Sequence, residues 1–412
     1  MIAGPQGPAF VILEGLVSLI GQEVTVLGAG VAGLAVARAL ALRGAVVTVL
    51  EQADAVREIG AGVQVSPNGA AVLEALGLGQ ALRAASLRAA AVELRDGLTG
   101  GLLTRLEVAR LRPDQGYHFV HRADLIALLL DGAREAGVTL RLLERVVSVD
   151  LSGPRPVVVT EAGRAEAEVL IGADGMHSPT RIALNGKVAP FFTHQVAWRA
   201  LIPNLSGSGD GGANVAEVHL APGRHLVSYP LRGGALRNIV AVEERRTWAE
   251  EGWSYPDDPT ALRAAFAGFA PQVRGWLDRV EDVWLWGLFR HPIAEFWHRS
   301  LPGGVVAILG DAAHPTLPFL AQGANMALED AWVLVDCLAA SECYAAGLAL
   351  YQARRVPRVA RAVAAAEANA RNYHLRGVRR FAAHQVLKLG GRLAPDLALS
   401  RFDWLYGHDV TR

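Results

Sequence analysis

Lysine is almost missing from this chain of 412 residues: Lys187 and Lys388 stand against 38 arginines. Basic and acidic side chains balance at 40 each, so no positive field recommends nucleic acid as a partner. The arginine excess, beside 44 glycines, reads as the mark of a GC-rich genome, which lowers the weight of arginine clusters as binding signals. Charge is scarce as well, at 19%, while hydrophobic residues reach 51%; a chain of that kind can form a core and is not disordered. Cysteine is limited to Cys337 and Cys343, six apart on different faces of one predicted helix. That excludes a disulfide framework and favours the reducing cytoplasm. No apolar run approaches the ~20 residues of a membrane-spanning helix. The short stretch Ala9–Leu13 ends at Glu14 and has no basic flank, so residues 1–22 read as a loosely attached extension of a soluble protein.

The remaining chain predicts an α/β fold with an α+β insert. Residues 24–27 (VTVL) form a β run, a glycine-rich turn follows, and a helix extends to about Arg43. Gly44 stops that helix before a second β run, Ala45–Leu50, which makes a strand–turn–helix–strand unit of βαβ length. Residues 66–88 read as helix, 91–112 as a hairpin, 122–136 as helix and 138–150 as strand. Residues 155–173 read as a hairpin ending in a buried run, and 190–245 as antiparallel strands broken at 206–212. Helix over 259–279, a buried strand at Val305–Leu309 and helix from Gly323 to about Ala383 complete the pattern. The nucleotide-type elements are thus interrupted and resumed. This gives a discontinuous first domain (23–75, 113–185, 285–350), an antiparallel substrate domain (76–112, 186–284) and a helical C-terminal region (351–412).

Gly28-x-Gly30-x-x-Gly33 alone is a weak signal, but here it follows a strand and opens a helix, and Glu51 ends the next strand. Gly28 permits the tight turn, Gly30 lets backbone approach a pyrophosphate, and Gly33 allows close helix–strand contact. The helix N-terminus offers free N–H groups to phosphates. Glu51 suits ribose hydroxyls and disfavours a 2′-phosphate, so with neighbouring Gln52 it fits FAD or NAD better than NADP. The plain alternative is a tight turn and a solvated carboxylate.

Two further segments follow strands: Gly172-Ala-Asp174-Gly175-Met-His-Ser178-Pro-Thr-Arg181, and Gly310-Asp311-Ala-Ala-His314-Pro-Thr-Leu-Pro318 running on to Gly323-Ala324-Asn325. With the three motifs in this order, the sequence resembles the group A flavoprotein aromatic hydroxylases over roughly residues 23–410. The resemblance implies FAD as cofactor, NADH or NADPH as transient donor without a second nucleotide fold, and O2 as co-substrate. Oxygen would pass from a flavin C4a-hydroperoxide to an activated ring. It also implies that Asp311 binds the ribityl or ribose part of FAD and that Arg122, in His121-Arg-Ala-Asp-Leu, contacts FAD. Backbone N–H groups of Gly323, Ala324 and Asn325 would meet the pyrimidine edge of the flavin, where the helix dipole stabilises negative charge. Asp174 and Arg181 match the motif linked to both FAD and the donor, and Gln64 falls near the flavin. For Asp311 and Asp174 helix capping, and for Arg122 and Arg181 an ordinary ion pair with a surface acid, are the competing readings.

For substrate, the signal is His225-Leu-Val-Ser-Tyr229, where alternation puts residues 225, 227 and 229 on one sheet face. The branch it resembles includes salicylate, 3-hydroxybenzoate and 6-hydroxynicotinate hydroxylases, in some of which such a His and Tyr meet the substrate hydroxyl. Removing a phenolic proton enriches the ring, and His suits that task near neutral pH. Pro318 and His314 are further pocket candidates. A core-facing His and a packing Tyr are the alternative.

His118 and His121 have no third ligand nearby, so no metal is expected. Trp276, Trp284, Trp286 and Trp297 read as packing. The arginines of 354–380 read first as a solvated face and second as a homodimer contact. The expected function is therefore hydroxylation of a small phenolic or hydroxylated heteroaromatic acid. A larger polyketide or quinone precursor is the second reading, and a non-catalytic binder of the same fold the third.

Overall fold

In a computed structural model, which describes residues 17–56, 62–111, 113–204, 214–245, 247 and 255–412, the first β run becomes the strand Glu23–Leu27. It pairs in parallel with Val46–Leu50 on one side and with Val169–Gly172 on the other. Gly304–Ile308 extends the sheet beyond Val169–Gly172, and the hairpin strand His298–Leu301 closes that edge; Thr139–Arg141 closes the other. All four residues of Val169–Gly172 are buried, as a central strand covered on both faces must be. The helices Val31–Ala41, Arg122–Glu135 and Gly323–Ala339 supply that cover and share one apolar core with the sheet.

The glycine turn is fixed by contact. Gly28 has φ +95°, and a Cβ there would stand 2.5 Å from the Ala173 carbonyl oxygen. At Gly33 a Cβ would lie 1.9 Å from the carbonyl oxygen of Gly28, so helix and turn touch with no room for a methyl group. Gly30 meets nothing within 4 Å. Its missing side chain leaves space rather than filling it.

The second layer is an eight-stranded sheet in the order Tyr255–Asp257, Val283–Arg290, Phe191–Pro203, Leu236–Glu244, Arg224–Leu231, Val215–Ala221, Ala91–Asp96, Leu102–Leu106. Neighbours are antiparallel except Val215–Ala221 beside Ala91–Asp96. Alternation gives it two faces. Trp198, Leu226, Ile239 and Ala241 pack with Leu262 and Val273 of two covering helices and with Phe266 between them. The opposite face carries His225, Val227, Tyr229 and Val240.

Several elements differ from expectation. Residues 66–88 are not one helix: Pro67–Ala75 and Gly79–Ala85 are separated at Gly77, which turns at φ +75°, and Ser86–Arg88 is a strand. The helix expected over 259–279 is divided into Pro259–Ala265 and Pro271–Leu277, since Pro271 has no N–H to continue a helix and starts a new one. The segment 138–150 splits between two sheets, Thr139–Arg141 in the parallel one and Val146–Asp150 in a three-stranded one. Only Val157–Thr160 and Gly163–Glu166 form the hairpin within 155–173. Cys337 lies buried in Gly323–Ala339, whereas Cys343 precedes the next helix, Tyr344–Tyr373, so the two do not share a helix. Residues 1–16 of the expected extension and the break at 206–212 lie outside the described residues.

The two turn glycines predict opposite results in urea denaturation. Gly33→Ala should destabilise by at least the ~1–3 kcal/mol typical of overpacking, because the obstacle is backbone. Gly30→Ala should cost under about 1 kcal/mol, the scale of a helix N-cap change.

Candidate active site

The carboxyl ends of the parallel strands and the open face of the eight-stranded sheet enclose a cavity of about 1960 Å³. Pockets for one small molecule span ~300–1,000 Å³, so this one has room for a dinucleotide and a small ligand together. Gly28, Gly30, Glu51, Gln52 and Asp174 form its wall where the strands end, the position at which α/β sheets receive ligands. Gly30 caps the Val31–Ala41 helix, whose first turn holds no acid, so its positive end faces the cavity unneutralised. Glu51 lines the wall and also secures the turn, accepting from Ala29 N–H at 2.8 Å and Ala53 N–H at 3.0 Å.

Asp311 and Arg122 contribute opposite charges to the same wall. Asp311 is exposed to the cavity, and desolvation by the protein around it raises its carboxyl above the ordinary range, with His314 and Arg122 opposing the rise. Gly323 and Ala324 present a second helix N-terminus, after a turn in which Ala321 takes φ +53°. Two helix ends, a cation and a glycine cradle fit an anionic dinucleotide.

Gly33, Arg181, His314 and Asn325 stand behind the wall, while the other cofactor and substrate candidates named from the sequence line it. Arg181 donates to the carbonyls of Ala312, Ala313 and Pro292 and so pins the turn that carries Asp311. Asn325 accepts from Ser66 N–H at 3.0 Å and donates to the carbonyls of Gln64 and Ala321, joining the strand Gly62–Val65 to the helix. Asp174 does both jobs. It lines the cavity and accepts from Ser178 and Thr180 at the start of the Pro179–Asn185 helix, and burial raises its carboxyl. His314 is not a pocket group: it is 1% exposed and hydrogen-bonds Asp330, with Trp297 stacked at 5.3 Å.

At the sheet, His225, Val227 and Tyr229 share one face and line the cavity, near Pro318 at the tip of the 310–322 loop. Burial raises the Tyr229 phenol, with Arg199 and a hydrogen bond to Gln64 opposing. A Cβ at Gly62 would lie 2.5 Å from the Tyr229 ring, so glycine there lets the phenol enter. Gln64 also accepts from Tyr117 at 2.6 Å. Sequence reasoning missed Arg199, which alternation could have found. It is in register with Val240, itself paired with Val227, so all three share the cavity face, and its guanidinium lies 4.6 Å above the Trp286 ring. Among the described residues, no cluster of metal-binding side chains occurs and no helix is long and apolar enough to cross a membrane.

The family described as FAD binding domain matches residues 22–366. A 3-hydroxybenzoate 6-hydroxylase of Polaromonas naphthalenivorans (strain CJ2) is 35% identical over 395 residues, covering 94% of this chain and 96% of that protein. The chain belongs to the FAD-dependent aromatic hydroxylases. A 3-amino-4-hydroxybenzoate 2-monooxygenase of Streptomyces cremeus is 37% identical over 362 residues, covering 86% and 88%. Among solved structures, Klebsiella pneumoniae HpxO, complexed with FAD and uric acid, superimposes with a TM-score of 0.77 at 26% identity, covering 92% and 97%. The protein is therefore a flavoprotein monooxygenase, and FAD is its cofactor.

In this hydroxylase the Asp311 loop rests on a buried carboxylate. Burial opposes charge on Asp330, but His314 and Arg355 outweigh it and hold the carboxyl at about 2, below the ordinary 3.8. A depressed carboxyl stabilises the fold above its unfolded value and loses that contribution as pH falls through the folded one. Unfolding free energy should therefore drop between pH 3.8 and about 2. Asp330→Asn should be less stable at pH 7 by roughly 3–5 kcal/mol, the cost of breaking a buried pair, with a shallower acid limb in denaturant titrations.

Proposed function

We propose that this enzyme uses NADH or NADPH and O2 to hydroxylate a small phenolic or hydroxylated heteroaromatic acid. The observation that carries the reading is the shared cavity face of His225, Tyr229 and Arg199. An imidazole and a phenol can hold a substrate hydroxyl, and a guanidinium nearby complements a carboxylate. The relatives named for 3-hydroxybenzoate and 3-amino-4-hydroxybenzoate support the same class.

FAD is assigned to the remaining wall. The Gly28–Gly30 turn and its helix receive the pyrophosphate, Glu51 and Gln52 the ribose, and Asp311 with Arg122 the ribityl region. The N–H groups of Gly323, Ala324 and Asn325 and the side chain of Gln64 would hold the flavin ring, and Pro318 would line the substrate side of the cavity. Asp174 would contact FAD or the donor from the wall, and Arg181 supports the Asp311 turn. When bound, FAD supplies electron transfer from the nicotinamide and the activation of O2. His225 takes the phenolic proton, Tyr229 donates to or accepts from the same oxygen, and Arg199 orients the acid. A cytoplasmic location belongs to the same proposal and is supported by two cysteines without a disulfide.

A panel of hydroxylated aromatic acids, scored for stimulated NAD(P)H oxidation and for hydroxylated product, tests the substrate class; no product from any member would end it. With the best acid, His225→Ala should lower hydroxylation ~10²–10⁴-fold, the usual loss of a general base, while FAD stays bound and more hydrogen peroxide is released. Tyr229→Phe should show the same uncoupling more mildly. Wild-type rate and coupling in both variants would make these residues sheet packing. Glu51→Gln should raise the FAD dissociation constant about tenfold or more, since a charged acceptor contributes roughly 1.5–3 kcal/mol; unchanged affinity would confine Glu51 to holding the turn.

A further inference from the structure

His225 is the inner end of a chain of titratable groups that leads out of the protein. Its Nδ1 stands 2.7 Å from Nε2 of His374. Nδ1 of His374 in turn stands 3.1 Å from Oε1 of Glu244, whose Oε2 pairs with Arg376 at 2.6 Å. His225 and His374 are 2% and 4% exposed, but the Glu244 side chain is 39% exposed, so the chain runs from cavity to solvent.

Three elements meet to build it. His225 comes from the strand Arg224–Leu231, Glu244 ends the neighbouring strand Leu236–Glu244, and His374 caps the Tyr344–Tyr373 helix. Backbone bonds fix their approach: Gly223 N–H donates to the His374 carbonyl, and Glu244 N–H to that of Gly223. The other groups that face the pair are Tyr373, 5.1 Å from His225 ring to ring, Phe319 at 5.5 Å, and the Gln195 amide, 3.4 Å from His374 Nδ1. Arg376 faces Glu244 from the segment after the helix, and Arg224 is paired with Glu243.

The order of donors follows from the carboxylate, which can only accept. His374 donates from Nδ1 to Glu244, with the Gln195 amide turned so that its otherwise unpartnered oxygen faces the same N–H; its Nε2 then accepts, and His225 donates from Nδ1. The lone pair of His225 is then on Nε2, the nitrogen a cavity ligand would meet. We propose that His374 and Glu244 are positioning residues that fix His225 as the base of the site and conduct the substrate's proton to solvent. This rests on the reading that a phenolic hydroxyl binds at His225. The substrate O–H bond breaks as Nε2–H forms on His225. The Nδ1 proton of His225 passes to Nε2 of His374, whose Nδ1 proton passes to Glu244 and on to water. No electrons move. Return of a proton to the product oxygen along the same path restores both tautomers. Burial holds both imidazoles below their usual range, with His374 adding to the effect on His225 and Glu244 opposing it on His374, so each passes a proton on rather than storing it.

Nitrogen-15 NMR of the histidine side chains in the FAD-loaded enzyme, without substrate, reads the tautomers directly. Neutral rings with Nδ1–H on both His225 and His374 are expected; Nε2–H on His225 would overturn the proposal. With 3-hydroxybenzoate as probe, His374→Ala should hydroxylate about 10²-fold more slowly, recovering at least partly with added imidazole, and Glu244→Gln should be roughly tenfold slower, still folded. Wild-type rates in both variants, or a loss in His374→Ala that imidazole does not relieve, would reduce the chain to packing. If wild-type enzyme hydroxylates no acid of the panel, the substrate reading fails, and the NMR result still decides the relay.

Discussion

Everything around the cavity depends on two adjacent buried carboxylates, Glu329 and Asp330, in the middle of the Gly323–Ala339 helix. Both are fully buried, and each is held by more than one partner. Asp330 accepts from Gly310 N–H at 3.0 Å, from His314 and from Arg355. Glu329 takes Arg355, Arg358 and the Asn68 amide. One helix therefore fixes the turn bearing Asp311, the long Tyr344–Tyr373 helix and the Pro67–Ala75 helix at once. An unpaired charge in such a place costs several kcal/mol, so these partners cannot be withdrawn one at a time without disturbing the rest. The reward is geometric: the same helix presents Gly323 and Ala324 to the cavity and sends its C-terminal neighbour past the sheet to deliver His374.

That arrangement separates two tasks. The parallel sheet and its glycine turn make a trough at the strand ends, with close contacts at Gly28 and Gly33 and open space at Gly30. The eight-stranded sheet supplies a flat face whose side chains can differ without disturbing the trough, because alternation isolates His225, Tyr229 and Arg199 from the Trp198 core behind them. In the proposed function, that face would set specificity for one aromatic acid over another, and the strand ends would hold the cofactor.

The trough was legible in the sequence because its chemistry is local: a strand, three glycines at fixed spacing, a helix and an acid at the next strand end follow one another within a βαβ unit. The pair His225 and Tyr229 was legible for the same reason, since period-two alternation is a property of one strand. Arg199 reaches the cavity, and His374 reaches His225 behind it, from elements 26 and 149 positions away from His225, and no local pattern announces that approach. Glu329 and Asp330 drew no reading from the sequence, because their partners Arg355 and Arg358 lie in another helix, where the arginines read as a solvated face. Arg181 and Asn325 were found by motif, yet their side chains hold the loops that form the wall rather than the wall itself. The division of 66–88 shows the opposite limit: helical composition hid a turn at Gly77 that returns the chain to a strand.

The central claim, that this cavity inserts one oxygen atom from O2 into a phenolic acid, is tested most directly by isotope. FAD-loaded enzyme, NADH or NADPH and 3-hydroxybenzoate are incubated under 18O2 and the product is analysed by mass spectrometry. A ring-hydroxylated product carrying one 18O atom is the expected result. Oxidation of the donor with no labelled product from 3-hydroxybenzoate or any related hydroxylated acid would contradict the account.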